Sequence, residues 1–209
     1  MIAIVDYGVG NLFSLKSSFA AIGAEVFVTS SEQEIRSAEK IVLPGVGAFE
    51  DAAKKLRECG LGEVIKEEVA DGKLLLGICL GMQLLFEKSY EYGEHEGLGL
   101  LKGVIRPIAE VTTPDLKIPH MGWNALQFCG EKHPLFKYIA EGDCVYFVHS
   151  YHAMDCDESK IAYVEYGGEI TAAAAHKNVL GCQFHPEKSA SVGLRILKSF
   201  CEMKEGDLC

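Results

Sequence analysis

The chain has 209 residues, which is enough to bury one sizeable hydrophobic core and predicts a single domain over residues 1–209. Its composition, 48% hydrophobic and 24% charged, is ordinary for a soluble globular protein. The formal net charge of -10 disfavours a nucleic-acid partner or an anionic membrane surface.

The start of the chain and the cysteines favour an intracellular protein. "MIAIVDYG" has no basic region before its apolar segment, so no signal peptide is predicted. The most apolar run, residues 74–86, is shorter than the roughly 20 residues that span a bilayer. Eight cysteines are scattered without CxxC pairs or the spacing of a secreted disulfide scaffold. We therefore expect a cytoplasmic protein with mostly reduced, buried cysteines and no membrane association.

The first part of the chain predicts strands and helices in alternation. Strands are predicted at residues 2–6, 25–29, 40–43 and 74–78, the third stopped by Pro44-Gly45. Helices are predicted at 12–23, closed by Gly23, then after the N-cap Ser31, and at 49–59, 62–70 and 82–88. This alternation is typical of a parallel sheet that is covered by helices on both faces.

After Gly93 the pattern changes to short strand-like runs with turn signals between them. These runs lie at residues 104–111, 120–128, 143–152, 161–170, 171–178 and 179–184. An amphipathic helix is predicted over residues 189–204. The sequence therefore predicts an α/β fold with a mostly parallel central sheet and a mixed or antiparallel extension.

A cysteine flanked by two glycines interrupts the apolar run at the end of the fourth strand. Gly77-Ile78-Cys79-Leu80-Gly81 has the spacing of a nucleophile elbow, in which a sharp strand-to-helix turn exposes a reactive side chain. Glycines two residues away on each side remove the Cβ atoms that would crowd such a turn. At a helix N-terminus the dipole also favours thiolate over thiol. The alternative is a buried structural cysteine between packing glycines.

A nucleophilic thiol needs a base and a group that orients the base. "GCQFHPEKS" offers His185 as the base and Glu187 as its orienting acid, two residues apart and so on one side of an extended segment. The alternative is an exposed His-Pro-Glu turn. No spacing of the seven histidines predicts a metal site, and none is expected.

Two backbone segments are candidates for an oxyanion hole. The N–H of Leu80 directly follows the nucleophile, and "LPGVGAF" allows an N–H near Val46 and Gly47 to turn toward the same point. The alternative for the second segment is a tight turn that opens a helix. Neither "DYGVGNL" nor "PGVGAF" completes a dinucleotide fingerprint, because Phe13 and Glu50 occupy the third glycine position. No cofactor is predicted.

These motifs together resemble the class I, Cys-His-Glu, glutamine amidotransferases. The resemblance covers the chain nearly end to end and is carried by "DYGVGNL", "LPGVGAF", "GICLGMQLLF", "EGLGLLKG", "PHMGWN", "YFVHSY" and "QFHPEKS", in the family's order. It implies a flavodoxin-like three-layer sandwich. It also implies that Cys79, His185 and Glu187 hydrolyse the side-chain amide of glutamine, and that the substrate is held by Gln83, Glu91, Gly47, Ser150 and Tyr151.

"DYGVGNL", "HMGWN" and "HPEKS" are similar to motifs of those family members that pair with a (β/α)₈ synthase subunit in histidine biosynthesis. Such a synthase uses the ammonia to make imidazole glycerol phosphate and an aminoimidazole carboxamide nucleotide. The resemblance implies that Asn11, Met121, Trp123 and Lys188 face this heterodimer partner. Without this resemblance, we would expect Trp123 to be a core aromatic residue and Lys188 to be a solvated charge.

Three other functions stay open on the sequence. One is a paralogous amidotransferase that feeds a different synthase with the same catalytic motifs. The second is a stand-alone cysteine hydrolase on this fold, in which "HMGWN" and Lys188 have no evident purpose. The third is a binding module without activity, which an intact set of Cys79, His185 and Glu187 disfavours.

Overall fold

The computed structural model describes residues 1–204, in which helices and strands alternate as far as the fourth strand. The helices are α1 (Leu12–Ala21), α2 (Glu32–Ser37), α3 (Phe49–Glu58), α4 (Leu61–Ala70), α5 (Leu80–Leu84) and α6 (Ala190–Glu202). The strands are β1 (Ile2–Val5), β2 (Val26–Thr29), β3 (Lys40–Gly45), β4 (Leu74–Cys79), β5 (Phe86–Ser89), β6 (His95–Glu96), β7 (Leu101–Pro107), β8 (His120–Ala125), β9 (Gln127–Phe128), β10 (Cys144–His149), β11 (Tyr151–Met154), β12 (Lys160–Glu165), β13 (Glu169–His176) and β14 (Val179–Cys182).

The central sheet has the strand order β2-β1-β3-β4-β14-β13-β12-β9. Its first five strands are parallel to one another, and β14 takes the place of the fifth strand in a flavodoxin-like order. β13 pairs with β14 in the antiparallel sense, and β12 and β9 continue that arrangement to the edge. The predicted mostly parallel sheet is confirmed, and both β4 and β14 end at its centre.

Two smaller sheets form the predicted extension. β8 and β10 make an antiparallel ribbon in which Trp123 pairs with Tyr146 and His120 with His149. The second sheet has the order β11-β7-β5-β6 and is mixed, because β5 runs parallel to β7 while the other pairs are antiparallel. These sheets bring the end of β10 and the start of β11 over the carboxyl edge of the central sheet, where β4 ends.

Helices cover both faces of the central sheet, as predicted. Side chains alternate between the faces along β4: Leu74 and Leu76 pack with α1 and α6, whereas Leu75 packs with α2, α3 and α4. Because both faces are buried, β4 has no exposed residue, which explains its unbroken apolar sequence. Within residues 1–204, no helix is both long and apolar enough to cross a membrane.

Local capping determines where several helices begin and end. The side chain of Asn11 accepts a hydrogen bond from the N–H of Ser14 and caps α1, which ends before Gly23 with φ of 74°. The Ser31 side chain accepts from the N–H of Glu34, which confirms it as the N-cap of α2. The helix predicted at 189–204 is α6.

The helix predicted over residues 82–88 is wrong in its second half. α5 ends at Leu84, and Phe86 begins β5, which pairs with both β7 and β6. The side chain of Phe86 is fully buried in this arrangement. Pairing with two strands that follow later in the chain therefore overrides the local helical spacing, and no glycine or proline marks the boundary.

Pro44 and Gly45 do not stop the third strand, which is also a correction. β3 continues to Gly45 because Pro44 pairs with Ile78 and Gly45 with Cys79 of β4. On its other side, β3 pairs with β1 only as far as Val42. Pro44 thus lies where the strand has one neighbour, which is where a missing N–H is tolerated. The predicted runs 120–128, 143–152 and 161–170 each contain a break between two strands.

Buried histidines make the fold sensitive to acid. Burial lowers the pKa of His149 to about 3 and that of His152 to about 4, and burial also lowers the pKa of His120. Between about pH 6.5 and about pH 4 the unfolded chain therefore binds protons that the folded chain does not. The free energy of unfolding should then fall as the pH drops, by about 2 kcal/mol for each of His149 and His152 at about pH 5.

Urea unfolding at about pH 7 and about pH 5 measures this loss. His152→Gln should make the loss smaller, because glutamine keeps an acceptor for the N–H of Thr171 that now bonds to His152 Nδ1 but does not titrate. His176 is exposed, so His176→Gln should leave the loss unchanged. A stability that does not change between the two pH values would contradict the assignment of neutral buried imidazoles.

Candidate active site

Cys79 lies at the turn between β4 and α5 in a strained backbone conformation. Its φ of 54° and ψ of -113° are unusual for a residue with a Cβ. The side chain is 7% exposed and opens into a cleft at the carboxyl edge of the sheet. α5 has only five residues, so we expect its dipole to contribute less to a thiolate than the sequence suggested.

The two glycines around Cys79 are required by close packing of the backbone. A Cβ on Gly81 would lie 1.9 Å from the carbonyl oxygen of Leu43, and a Cβ on Gly77 would lie 2.8 Å from the carbonyl oxygen of Gly81. Neither atom belongs to a flexible side chain that can move away. The glycines therefore let α5 pack directly on β3 and so fix the turn that presents the sulfur.

Gly81→Ala should destabilise the fold strongly for the same reason. Overpacking of a buried site typically costs about 1–3 kcal/mol of stability. The Cβ of Gly81→Ala would meet backbone atoms, which cannot move aside as a side chain can, so we expect a cost at or above the upper end of this range. Gly62→Ala is the matched control, because its Cβ would meet the Leu98 side chain at 3.3 Å. Urea unfolding should show a loss of about 3 kcal/mol or more for Gly81→Ala and under about 1 kcal/mol for Gly62→Ala. Equal losses would contradict the packing argument.

His185 and Glu187 form a buried pair directly after β14. The Nδ1 atom of His185 lies 2.8 Å from Oε1 of Glu187, and both side chains are 4% exposed. His185 is extended, but Glu187 lies in the 3₁₀ turn Pro186–Lys188, so the pair is not brought together by strand geometry as the sequence suggested. Instead the turn is held by hydrogen bonds from Ser189 Oγ to the carbonyl of His185 and from the N–H of His185 to Tyr146.

The surroundings of His185 favour its charged form. Burial opposes the charge, but interactions with the nearby Cys79 and Glu187 outweigh burial and raise the pKa of His185 to about 9. With Nδ1 bonded to Glu187, Nε2 remains for Cys79. The stability that this pair contributes is present below about pH 6.5 and is lost as the pH rises through about 9.

The segment Val46-Gly47 lines the same cleft as His185. Leu80, Val46 and Gly47 all line the cleft with Cys79. Val46 is 42% exposed, and Gly47 has a φ of 95°, a conformation that glycine adopts without strain. The start of this segment is held in place, because the hydroxyl of Tyr7 donates to the carbonyl of Pro44 over 2.8 Å. Tyr7 is a residue that sequence reasoning missed.

The cleft has a volume of about 340 Å³ and brings together most of the predicted catalytic, oxyanion and substrate residues. Its lining consists of Val46, Gly47, Cys79, Leu80, Gln83, Glu91, Pro119, Val148, His149, Ser150, Tyr151, His185 and Lys188. Glu187 lies behind His185 and is not part of this lining. The cleft is large enough for an amino-acid side chain and its main-chain groups.

The predicted substrate residues Gln83 and Glu91 are both anchored by backbone groups. Gln83 Nε2 donates to the carbonyl of Tyr151 over 3.0 Å. Glu91 Oε2 accepts from the N–H of Phe49 over 2.6 Å and so caps α3, whose N-cap residue Ala48 offers no side-chain acceptor. Burial raises the pKa of Glu91, although the bond from Phe49 opposes this. One oxygen of each side chain remains for a ligand.

Two further polar residues next to the cleft were not found by sequence reasoning. Gln183 is fully buried directly after β14, and its Nε2 lies 3.6 Å from the sulfur of Cys79. His149 donates from Nδ1 to the carbonyl of Tyr151 over 2.8 Å. His149 lies in "YFVHSY" and Gln183 in "QFHPEKS", but neither motif indicates what these side chains contact. Only the fold shows that they lie beside Cys79.

The four residues predicted to face a partner are all exposed. Trp123 is therefore not a core residue, which was the alternative for this position. Met121 is 60% and Trp123 52% exposed on β8, and Asn11 and Lys188 are exposed as well. Lys188 Nζ lies 5.9 Å from the ring centroid of Tyr146, which is 6.1 Å from that of Trp123. α1, which Asn11 caps, contacts the turn that carries Lys188.

The arrangement has the parts that acyl transfer requires. A thiol, an imidazole with its second nitrogen fixed by a carboxylate, and candidate backbone donors surround a cleft. A carboxylate on Nδ1 holds Nε2 toward the sulfur and favours the imidazolium that forms when the thiol loses its proton.

Comparison with known proteins agrees with this geometry. The model of the family "Glutamine amidotransferase class-I" matches residues 3–203. The imidazole glycerol phosphate synthase subunit HisH of Sulfurimonas denitrificans is 51% identical over 207 residues, covering 98% of this chain and 99% of the relative. HisH of Bacillus subtilis is 46% identical, covering 97% and 96%.

Solved structures show the same fold at low sequence identity. A glutamine amidotransferase crystal structure superposes with a TM-score of 0.75 at 19% identity, covering 97% of this chain and 98% of that one. The structure of PurLQS from Thermotoga maritima gives a TM-score of 0.73 at 21% identity, covering 96% of each chain. Because the family model spans almost the whole chain, this protein belongs to the class I glutamine amidotransferases.

Proposed function

We propose that this chain is the glutaminase subunit of an imidazole glycerol phosphate synthase and acts as one glutaminase domain over residues 1–209 in the cytoplasm. The observation that carries the proposal is the buried pair of His185 Nδ1 and Glu187 Oε1, 2.8 Å apart, beside a strained Cys79 at a cleft. Relatives named HisH over nearly the full length support the choice of synthase.

The proposed reaction splits amide hydrolysis into two steps. The sulfur of Cys79 attacks the side-chain amide carbon of glutamine, and His185 Nε2–H gives its proton to the departing amine, so ammonia leaves and a thioester forms. His185 then takes a proton from water, which attacks the thioester and releases glutamate and the thiol. Glu187 holds the ring through Nδ1 during both steps. The backbone N–H groups of Leu80 and of Val46 or Gly47 hold the oxyanion in each tetrahedral intermediate.

The proposed substrate site uses the groups that line the cleft. Gln83 and Glu91 each keep one oxygen free for the amino and amide groups of glutamine, and the backbone of Ser150 and Tyr151 also lines the cleft. Glutamine carries both a carboxylate and an ammonium group at neutral pH. A carboxylate such as Glu91 and backbone groups of both polarities suit these charges.

The proposed partner is a (β/α)₈ synthase subunit that consumes the ammonia. The face of this chain that docks with the synthase includes Asn11, Met121, Trp123 and Lys188. Met121 and Trp123 support this assignment, because they are large hydrophobic side chains exposed beside the cleft. Exposed aromatic and methionine side chains are typical of interface centres. Lys188 lines the cleft and belongs to this face, so docking would close the route by which ammonia reaches bulk water.

Activity should depend on this partner. Gly47 follows Val46 in open space, so the peptide between them, a candidate for the second oxyanion donor, can rotate at low cost. Loss of one such donor typically costs about 10²–10³ in rate. We therefore expect the isolated chain to hydrolyse glutamine slowly, and the complex with synthase and its nucleotide ligand to be about 10²–10³ faster.

Steady-state glutaminase assays of the chain alone, with the synthase, and with synthase plus nucleotide measure this dependence. Co-elution of the two subunits in size-exclusion chromatography shows that the complex has formed. Trp123→Ala serves as the interface variant and should weaken co-elution. Equal glutaminase rates in all three assays would favour a stand-alone hydrolase instead. Activation by the synthase of another amidotransferase only would favour a paralogous function.

A further inference from the structure

The sulfur of Cys79 has a second polar neighbour besides His185. Gln183 Nε2 lies 3.6 Å from the sulfur, and the Gln183 side chain is fully buried. An amide side chain presents either a donor or an acceptor, depending on which way it is turned. Its effect on a thiolate is therefore favourable in one orientation and unfavourable in the other.

The surrounding hydrogen bonds determine the orientation of this amide. The carbonyl of Tyr151 only accepts, so the group of Gln83 that faces it is the nitrogen, 3.0 Å away. The second N–H of Gln83 points to Gln183 over 2.9 Å, and the atom of Gln183 that meets it is the oxygen. The nitrogen of Gln183 is then left for Cys79. One backbone carbonyl thus sets the direction of both amides.

The carbonyl that starts this chain of hydrogen bonds is itself held in place. His149 Nδ1–H donates to it over 2.8 Å, and His149 Nε2 lies 2.9 Å from Nδ1 of His120. Both histidines are buried, and burial lowers the pKa of each imidazole. The fixed carbonyl accepts two hydrogen bonds, so rotation of Gln83 would break a buried bond and leave polar groups unpaired, which is costly.

We propose that Gln183 is a further catalytic residue, which donates an N–H to the sulfur of Cys79 and stabilises its thiolate, and that Gln83 sets the direction of this donor. This deepens the proposed function, on which it rests for the identity of the nucleophile. Gln183 moves no proton to glutamine. It increases the fraction of Cys79 that is ionised at neutral pH and therefore ready to attack.

Alkylation of Cys79 by iodoacetamide tests the proposal without glutamine or a partner. The rate at each cysteine is measured by peptide mass spectrometry at about pH 7 and at about pH 10, which is above the ordinary pKa of a cysteine thiol. Gln183→Met has a similar length but no donor. It should slow alkylation of Cys79 about tenfold at neutral pH, and should match the unmodified chain at high pH, because only the ionised fraction has changed.

Two more variants separate this effect from a general disturbance of the site. Gln183→Glu keeps an oxygen for the N–H of Gln83 but turns another toward the sulfur, so alkylation at neutral pH should slow at least as much. Gln83→Met does not alter any group that touches the sulfur, yet it frees the Gln183 amide to rotate, so a smaller slowing is expected. Gln127→Met, on strand β9 at the far edge of the same sheet, is the matched control and should have no effect.

The outcomes are distinct. Unchanged alkylation of Cys79 at neutral pH in Gln183→Met and Gln183→Glu would overturn the proposal. An equal slowing at both pH values would also overturn it, since this would mean that Gln183 only maintains the shape of the site. Circular dichroism checks that each variant is folded, and Gln83→Met gives an independent result if the Gln183 variants are not. Failure of the proposed function appears separately, as absence of glutamine hydrolysis by the unmodified chain in complex with its synthase.

Discussion

Cys79→Ala is expected to abolish glutamine hydrolysis in the complex with the synthase while leaving the fold intact. No other group in the cleft can form the thioester, and removal of a nucleophile from a set that acts as a unit costs on the order of 10⁶ in turnover. The sulfur is a small atom at the edge of a cleft, so the cavity it leaves is minor. Glutaminase assays and urea unfolding of the same preparation measure both effects.

Cys182→Ala is the matched control for this experiment. Cys182 is fully buried at the end of β14, three residues before His185, and burial raises the pKa of its thiol far above the ordinary value. It should therefore be inert, and its replacement should lower stability by about 1 kcal/mol without removing activity. Residual glutaminase activity above a tenth of the normal rate in Cys79→Ala would exclude Cys79 as the nucleophile.

His185→Ala and Glu187→Ala should both reduce activity by several orders of magnitude, with losses that do not add. His185 moves protons in both steps, so we expect a loss on the order of 10⁵ in turnover. Glu187 only orients the ring, and its removal should cost about tenfold to a hundredfold less. Once His185 is absent, Glu187 has nothing to orient, so the double variant should be no slower than His185→Ala alone.

The same glutaminase assay with synthase and nucleotide present measures all three variants. His176→Ala, which alters an exposed histidine, should retain full activity. If the activity of the double variant instead falls by the product of the two single-variant fold losses, His185 and Glu187 act independently. The 2.8 Å bond between them then has no role in the reaction.

The parallel sheet and the turn at Cys79 were predictable because their signals are local. An unbroken apolar strand followed by Gly-x-Cys-x-Gly has few structural solutions, since the glycines are needed where α5 packs on β3. The same holds for helix ends with a side-chain cap at Asn11 and Ser31. In each case the residues that determine the structure are neighbours in the sequence.

The end of α5 and the role of Gln183 could not be predicted, because they depend on distant parts of the chain. Phe86 leaves the helix to pair with Leu101, fifteen residues later. Gln183 lies beside Cys79 only because β14 inserts next to β4, although 104 residues separate the two. The position of His149 beside the cleft likewise depends on its pairing with His120 in the separate β8–β10 ribbon. Nothing in the flanking sequence of these residues indicates their contacts.

The most direct test of the central claim is to locate the covalent bond that glutamine chemistry forms with this chain. A glutamine analogue that carries an electrophilic carbon in place of the side-chain amide is incubated with the complex, and the labelled cysteine is identified by peptide mass spectrometry. We predict one label per chain, on Cys79, formed in step with the loss of glutaminase activity and prevented by excess glutamine. A label on Cys182, or inactivation without a label on Cys79, would contradict the account.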